Sequence, residues 1–292
     1  MAKKRSRYPG IRSFETNEQH LFNGRALESR ELYSMIKVRR SVVLFAKSGI
    51  GKTSMLNAGV IPLLEQDHFY AVKARFQNTG YAPVETVKQV IEQGGYINQN
   101  LIKKYTKGEP TLWELLKACE FQQNRESAIP VFVFDQFEEF FSHSQADQAA
   151  FIKAVADVIN ERLPEKQRQE FRALPRGKRT KADLEWYSPI DMKIVFSIRS
   201  DRLSFLDDLS DDIPLILHSR YHLKPLKHQQ ARDAIVRPAQ LVSASFLTPP
   251  FEYKEETISD MLTHLSNEKG EIESFQLQIL CQHIENKVAQ QQ

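Results

Sequence analysis

Cysteine is nearly absent from this chain. Cys119 and Cys281 are the only two in 292 residues, far apart, each in an apolar helical pattern and neither at metal-ligand spacing. This argues against a disulfide framework or a cysteine-built zinc site and fits two reduced, buried thiols in a cytoplasmic protein. Long apolar runs are also missing. No window approaches the ~18 consecutive apolar residues of a membrane-crossing helix, so no membrane partner is expected. The basic start "MAKKRSRYPG" has no apolar stretch behind it, which excludes a secretory leader. Charge of one sign is scarce overall: 40 Lys and Arg face 37 Asp and Glu, a net +3. Such a balance gives no global field for nucleic acid or membrane. No internal repeat is visible.

What remains is an ordinary core-forming composition, 41% hydrophobic and 26% charged, whose patterning alternates between two periods. "SVVLFA" (41–46) and "IPVFVF" (129–134) are continuous apolar runs, as parallel strands covered on both faces require. "YAVKARF" (70–76), "KIVFSIR" (193–199) and "YHLKPL" (221–226) add further strands. Between them lie amphipathic helices over 26–40, 52–66, 83–95, 111–123 and 145–163; Thr111 and Glu114 form a capping box in the fourth. In the first, Leu27, Leu32, Met35 and Ile36 share a face. After 226 the pattern is all-helical. This predicts an α/β fold with a parallel, doubly wound sheet, then a smaller helical domain. The divisions expected are an N-terminal segment 1–25, a core 26–226 with a basic insertion 164–189, and a helical domain 227–292.

The chemistry concentrates at strand ends. "AKSGIGKTS" (46–54) matches the phosphate-loop pattern G-x-x-x-x-G-K-[ST] except that Ala46 stands in the first place. Lys47, Ser48, Gly49, Ile50, Gly51 and Ser54 would line the phosphates. Small residues let backbone N–H groups wrap an anion at a helix start. Lys52 would reach the β- and γ-phosphates of ATP, and Thr53 would hold Mg²⁺. If position 46 needs a positive φ, Ala costs ~1 kcal/mol there; if not, little. Asp135 closes an apolar strand and is the expected second metal ligand. Glu138 or Glu139 would activate the attacking water. Arg199 ends the next strand, where a guanidinium could stabilise transferring phosphate, or pair with Asp201 or Asp135.

These motifs together resemble the STAND class of phosphate-loop NTPases, near AAA+ ATPases, and most closely its novel STAND branch. The matching pieces are "YPGIRSF", "LFNGRALESREL", "VVLFAKSGIGKTSML", "VFVFDQFEEFF", "IVFSIRSDRLSFL" and "YHLKPLKHQQARDAIVRPA", over about 8–240. The resemblance implies a signal-transduction ATPase that rests with ADP and oligomerises with ATP, some members serving antiviral defence. It implies a three-layer α/β/α phosphate-loop NTPase fold with a parallel sheet and a smaller helical lid over 227–292, and it places the segment 1–25, with Gly24 and Arg25, at the adenine pocket and Pro225 at the start of the lid. The family often carries Pro before the later helical "LLQ"; here Ser274 and Phe275 stand instead. An effector or sensor domain is expected beyond Gln292 or on another chain.

Two features carry less. Residues 164–181 hold Lys166, Arg168, Arg172, Arg176, Lys178, Arg179 and Lys181 against Glu165 and Glu170. Sparse stacking aromatics favour a solvated loop over a nucleic-acid track. His218 and His222, four apart, would share a helix face but lack further zinc ligands. Two alternatives to the ATP-driven switch stand beside it: a non-hydrolysing nucleotide-binding interaction module, and a nucleic-acid-stimulated ATPase.

Overall fold

The computed structural model describes residues 4–77 and 80–291; the first three residues of the expected basic tail lie outside these. Five strands form the central parallel sheet: β1 (Ser41–Ala46), β2 (Phe69–Ala74), β3 (Ile129–Phe134), β4 (Lys193–Arg199) and β5 (Arg220–His222), in spatial order β2-β3-β4-β1-β5. Helices flank the sheet, which is the α/β architecture the alternating pattern predicts. The chain divides into two compact units. One holds the residues up to Ser34, Phe45–Leu63 and those from His222 onward; the other holds Met35–Leu44 and Leu64–Tyr221.

In the second unit β3 runs parallel to both neighbours. Ala74 pairs with Phe134, and Phe134 with Phe196, so Arg75, Asp135 and Ser197 fall level, just past or at three adjacent strand ends. Phe76, Phe134, Phe137, Phe140, Phe151 and Phe196 are all fully buried and meet mostly edge to face. Phe137 and Phe140 belong to the short 3-10 turn Phe137–Ser142 that follows Asp135. Their burial anchors the turn and leaves the intervening Glu138 and Glu139 half-buried at its outer side. Gln136, at φ 55°, makes the reversal between strand and turn, a left-handed conformation costing a non-glycine residue roughly 1 kcal/mol or more.

Several boundaries differ from the periodicity. The capping box of Thr111 and Glu114 is formed, but that helix stops at Ala118. A hairpin follows, Gln122–Gln123 against Glu126–Ser127, with Asn124 and Arg125 both left-handed, as a tight two-residue turn demands. Residues 164–189 are not a bare loop: helices Glu165–Ala173 and Lys181–Trp186 lie there. The first helix, Ala26–Val38, buries Leu32 and Ile36 but leaves Leu27 exposed.

In the first unit the helices His228–Ala239, Glu255–Leu265 and Ser274–Gln290 close over Tyr8, Leu226, Ala231, Ile235, Ile258, Leu277 and Cys281. The N-terminal residues are part of this body. Arg5 bridges Phe246 through backbone hydrogen bonds, its N–H donating to Ser245 and its carbonyl accepting from Leu247. Arg7 and Glu285 form an ion pair at 2.8 Å with both side chains fully buried.

Candidate functional site

The phosphate loop belongs to the first unit. β1 ends at Ala46, fully buried and still in the strand. The first place of the motif is therefore extended backbone, which any residue adopts, and alanine there carries no strain. The positive φ values come later: Gly49 at 80° and Gly51 at 100°. Gly51 caps the helical run that starts at Lys52–Ser54 and continues through a π-type turn, Met55–Val60, into Ile61–Glu65. Lys52 Nζ donates to the Ala46 carbonyl at 3.4 Å, folding the side chain back over the loop. The loop suits a nucleotide phosphate on structural grounds. Its two turning points are left-handed, where a Cβ is disfavoured, and Lys52 and Thr53 supply cation and hydroxyl at the helix start.

Three other segments of this unit converge on the loop. The Phe14 N–H donates to Ser54 Oγ at 3.2 Å, and Asn57 Nδ2 donates to the Phe14 carbonyl at 3.0 Å. Gly24 has φ 85°, and a Cβ there would lie 2.2 Å from the Gln230 carbonyl oxygen, so only glycine lets helix His228–Ala239 come this close. Arg25 is buried. Its guanidinium donates to Glu28 and to Ser274 Oγ, each at 3.2 Å, and lies 3.5 Å from the Ile50 carbonyl. The start of helix Ser274–Gln290 touches the loop itself: the Phe275 N–H donates to the Gly49 carbonyl at 3.2 Å. A Cβ on Gly49 would sit 2.6 Å from the Phe275 ring. Pro225 is half-buried and precedes Leu226, which exchanges two backbone hydrogen bonds with Ile272. Ser274 and Phe275 are thus the contacts of helix Ser274–Gln290 with Arg25 and Gly49.

The acidic residues belong to the second unit. Asp135 is buried at the end of β3. Its Oδ1 accepts from Ser197 Oγ at 3.0 Å and its Oδ2 from Arg75 Nη2 at 2.8 Å. A carboxylate is a hard oxygen donor of the type divalent cations take. Glu138 Oε2 accepts from the Arg199 backbone N–H at 3.2 Å. Glu139 keeps Oε2 buried with no hydrogen-bond partner. Burial first, then Glu138 and Asp135, push its carboxyl above the ordinary range, while Arg75 opposes them. The Arg199 guanidinium lies bidentate on Asp201, at 3.1 and 2.9 Å, the pairing the sequence allowed as an alternative to a phosphate contact.

Arg75 and Ser197 were not singled out from sequence. Each stands beside Asp135 only once strand order and register are known. The two histidines are not on one helix. His218 lies in a turn, and His222 ends β5, stacked on Phe45 at 4.6 Å. Among the described residues no group of three His, Cys, Asp or Glu side chains could hold a metal. In the basic segment, Lys166 pairs with Glu114, Arg168 with Glu165, and Arg179 lies 4.1 Å over Phe171 while donating to two carbonyls. Those cations serve local structure.

A family model described as nSTAND1, Novel STAND NTPase 1, matches residues 8–279. No curated protein sequence is similar at a significant level. Among solved structures, the chain is similar to the ORC1 protein of Aeropyrum pernix in complex with DNA, at a TM-score of 0.55 and 13% identity over 93% of this chain and 62% of that one. It is similar to the ORC2 protein of the same organism in its ADPNP-ADP complexes, at 0.55 and 14%, over 91% and 63%. A Walker-type ATPase of Pyrococcus abyssi scores 0.50 at 12%, over 96% and 73%. The chain thus spans about three fifths of the length of the two ORC proteins, and at these identities the likeness is one of fold. No helix among the described residues is long and apolar enough to cross a membrane.

Proposed function

The chain belongs to the novel STAND NTPase 1 family, and on that premise we propose that it is a nucleotide-dependent switch, with ADP held at rest and ATP·Mg²⁺ admitted on activation. The observation that carries this reading is the convergence on one phosphate loop of the N-terminal segment, Arg25 and the start of the last lid helix. Phosphate occupancy of such a loop is coupled to the segments that touch it, because any shift of Gly49 or Ile50 alters their hydrogen bonds.

Lys52 and the N–H groups around Gly49 and Gly51 bind the phosphates, and Thr53 and Asp135 serve the metal. Magnesium, when bound, neutralises phosphate charge. Ser197 and Arg75 fix the Asp135 carboxylate, and Glu138 or Glu139 takes the proton of the attacking water. Hydrolysis resets the state, and the ATP state self-associates to engage an effector, in the manner of an antiviral sensor.

Calorimetry with ADP and ATP tests the first step: Lys52→Ala should abolish binding, and unchanged affinity would remove the central claim. The double variant Glu138→Ala, Glu139→Ala should bind ATP and release no phosphate. Wild-type protein that binds nucleotide but never releases phosphate, whatever trigger is supplied, would leave a non-hydrolysing module in place of the switch.

A further inference from the structure

Arg75 is the first residue past β2, level with Asp135 past β3 and Ser197 in β4. Its guanidinium reaches that carboxylate at 2.8 Å. Its own position is asymmetric: the Arg75 side chain is 47% exposed, whereas the Asp135 side chain is 8% exposed. Arginine in this position can leave for water at small cost, while the aspartate cannot. A half-exposed guanidinium over a buried carboxylate is a replaceable counterion. It satisfies the charge when nothing else does, and it withdraws when a stronger cation arrives.

A second observation points the same way. Glu139 Oε2 is buried with no partner, on the turn that begins two residues after Asp135. Three carboxylates, Asp135, Glu138 and Glu139, therefore lie within one short stretch. Asp135 holds Arg75 and Ser197, Glu138 holds a backbone N–H, and Glu139 keeps an oxygen without a donor. A guanidinium released from Asp135 has an acceptor waiting nearby.

Building on the proposed nucleotide-dependent reading of this chain, we infer that Arg75 is a positioning residue that holds Asp135 while no divalent cation is present, is displaced from it when one binds, and then turns to Glu139. Metal binding here exchanges one cation for another. Arg75 thereby raises the Mg²⁺ concentration at which the site fills, and keeps the acidic cluster from collecting metal without nucleotide. Charge is the operative property, since the Ser197 bond and the strand register hold the Asp135 backbone and one oxygen whether or not Arg75 is present.

The test uses the full chain with a fluorescent N-methylanthraniloyl-ADP probe, titrated with MgCl₂ against an EDTA baseline, in wild type, Arg75→Gln and Arg75→Lys. Removing one unit charge from contact with the metal-binding carboxylate should lower the Mg²⁺ midpoint of the glutamine variant about 3- to 10-fold. The lysine variant should stay within about 2-fold of wild type. In EDTA, melting of Arg75→Gln should fall below wild type, and saturating Mg²⁺ should close that gap. An unchanged midpoint in Arg75→Gln overturns the inference. So does a loss of stability that Mg²⁺ fails to restore, which marks a purely structural pair. Wild-type binding that is indifferent to Mg²⁺ overturns the inference and leaves nucleotide binding standing. A wild type that binds no nucleotide overturns the functional reading itself.

Discussion

Removing Glu285 should unfold the helices of the first unit and leave the second unit largely intact. The carboxylate accepts from the Arg7 N–H and from Arg7 Nη1, each at 2.8 Å, from Thr248 Oγ1 at 3.3 Å, and from the Ser6 hydroxyl. The Arg7 guanidinium also donates to Thr248 Oγ1 at 2.7 Å and to the Leu241 and Thr248 carbonyls at 2.9 Å, and lies 4.4 Å over Phe246. Both side chains are fully buried. Glu285→Ala therefore strands a buried guanidinium among neutral acceptors, which costs about 3–5 kcal/mol. Replacing the pair together, Arg7→Met with Glu285→Leu, removes the stranded charge and should recover more than about 1 kcal/mol relative to the sum of the single changes. Urea unfolding can be read by two probes. Trp113 and Trp186, the only tryptophans, both belong to the second unit, so fluorescence follows that unit while far-UV circular dichroism includes the lid helices. The dichroism midpoint should fall well ahead of the fluorescence midpoint in Glu285→Ala. A loss below about 1 kcal/mol, or strictly additive behaviour in the double variant, would refute the reasoning.

Gly49→Ala places a Cβ at φ 80° and within 2.6 Å of the Phe275 ring; backbone strain alone is about 1–2 kcal/mol, so melting should drop and nucleotide affinity in calorimetry should weaken, with Phe275→Ala in the same chain recovering part of the affinity. Lys117 donates to Ser188 Oγ at 3.1 Å beside Trp113, and burial pushes its ammonium down to about 8. Its pKa is lower folded than unfolded, so the unfolded chain binds more protons between about pH 8 and the usual lysine range near 10.4. Stability should climb across that window and the gain vanish below it; the difference between wild-type and Lys117→Met unfolding curves isolates this group, and parallel curves would contradict it.

The strand ends were legible because apolar runs and the polar residues that close them stand in sequence order. The apolar runs before Ala46, Asp135 and Arg199 located all three, and the pattern predicted the parallel sheet. Register was not legible, and with it went Arg75 and Ser197: pairing Ala74 with Phe134 and Phe134 with Phe196 requires knowing which strands are neighbours. The hairpin after Ala118 was missed because the apolar spacing of 111–123 continues at helical period, while Asn124 and Arg125 in left-handed turns carry no glycine to announce them. The Arg7–Glu285 pair spans nearly the whole chain, and nothing local distinguishes either residue from a solvated charge. Ala46 was ambiguous only until its backbone was known to be extended.

The first unit is assembled from the beginning, one middle stretch and the end of the chain. Both Lys4 and Gln291 are therefore tethered to the body that holds Gly49 and Lys52, and neither to the body that holds Asp135. The backbone bridge at Arg5 and the charge pair at Arg7 tie the beginning of the chain to residues near its end. Attachments at Lys4 and at Gln291 thus both act on the first unit.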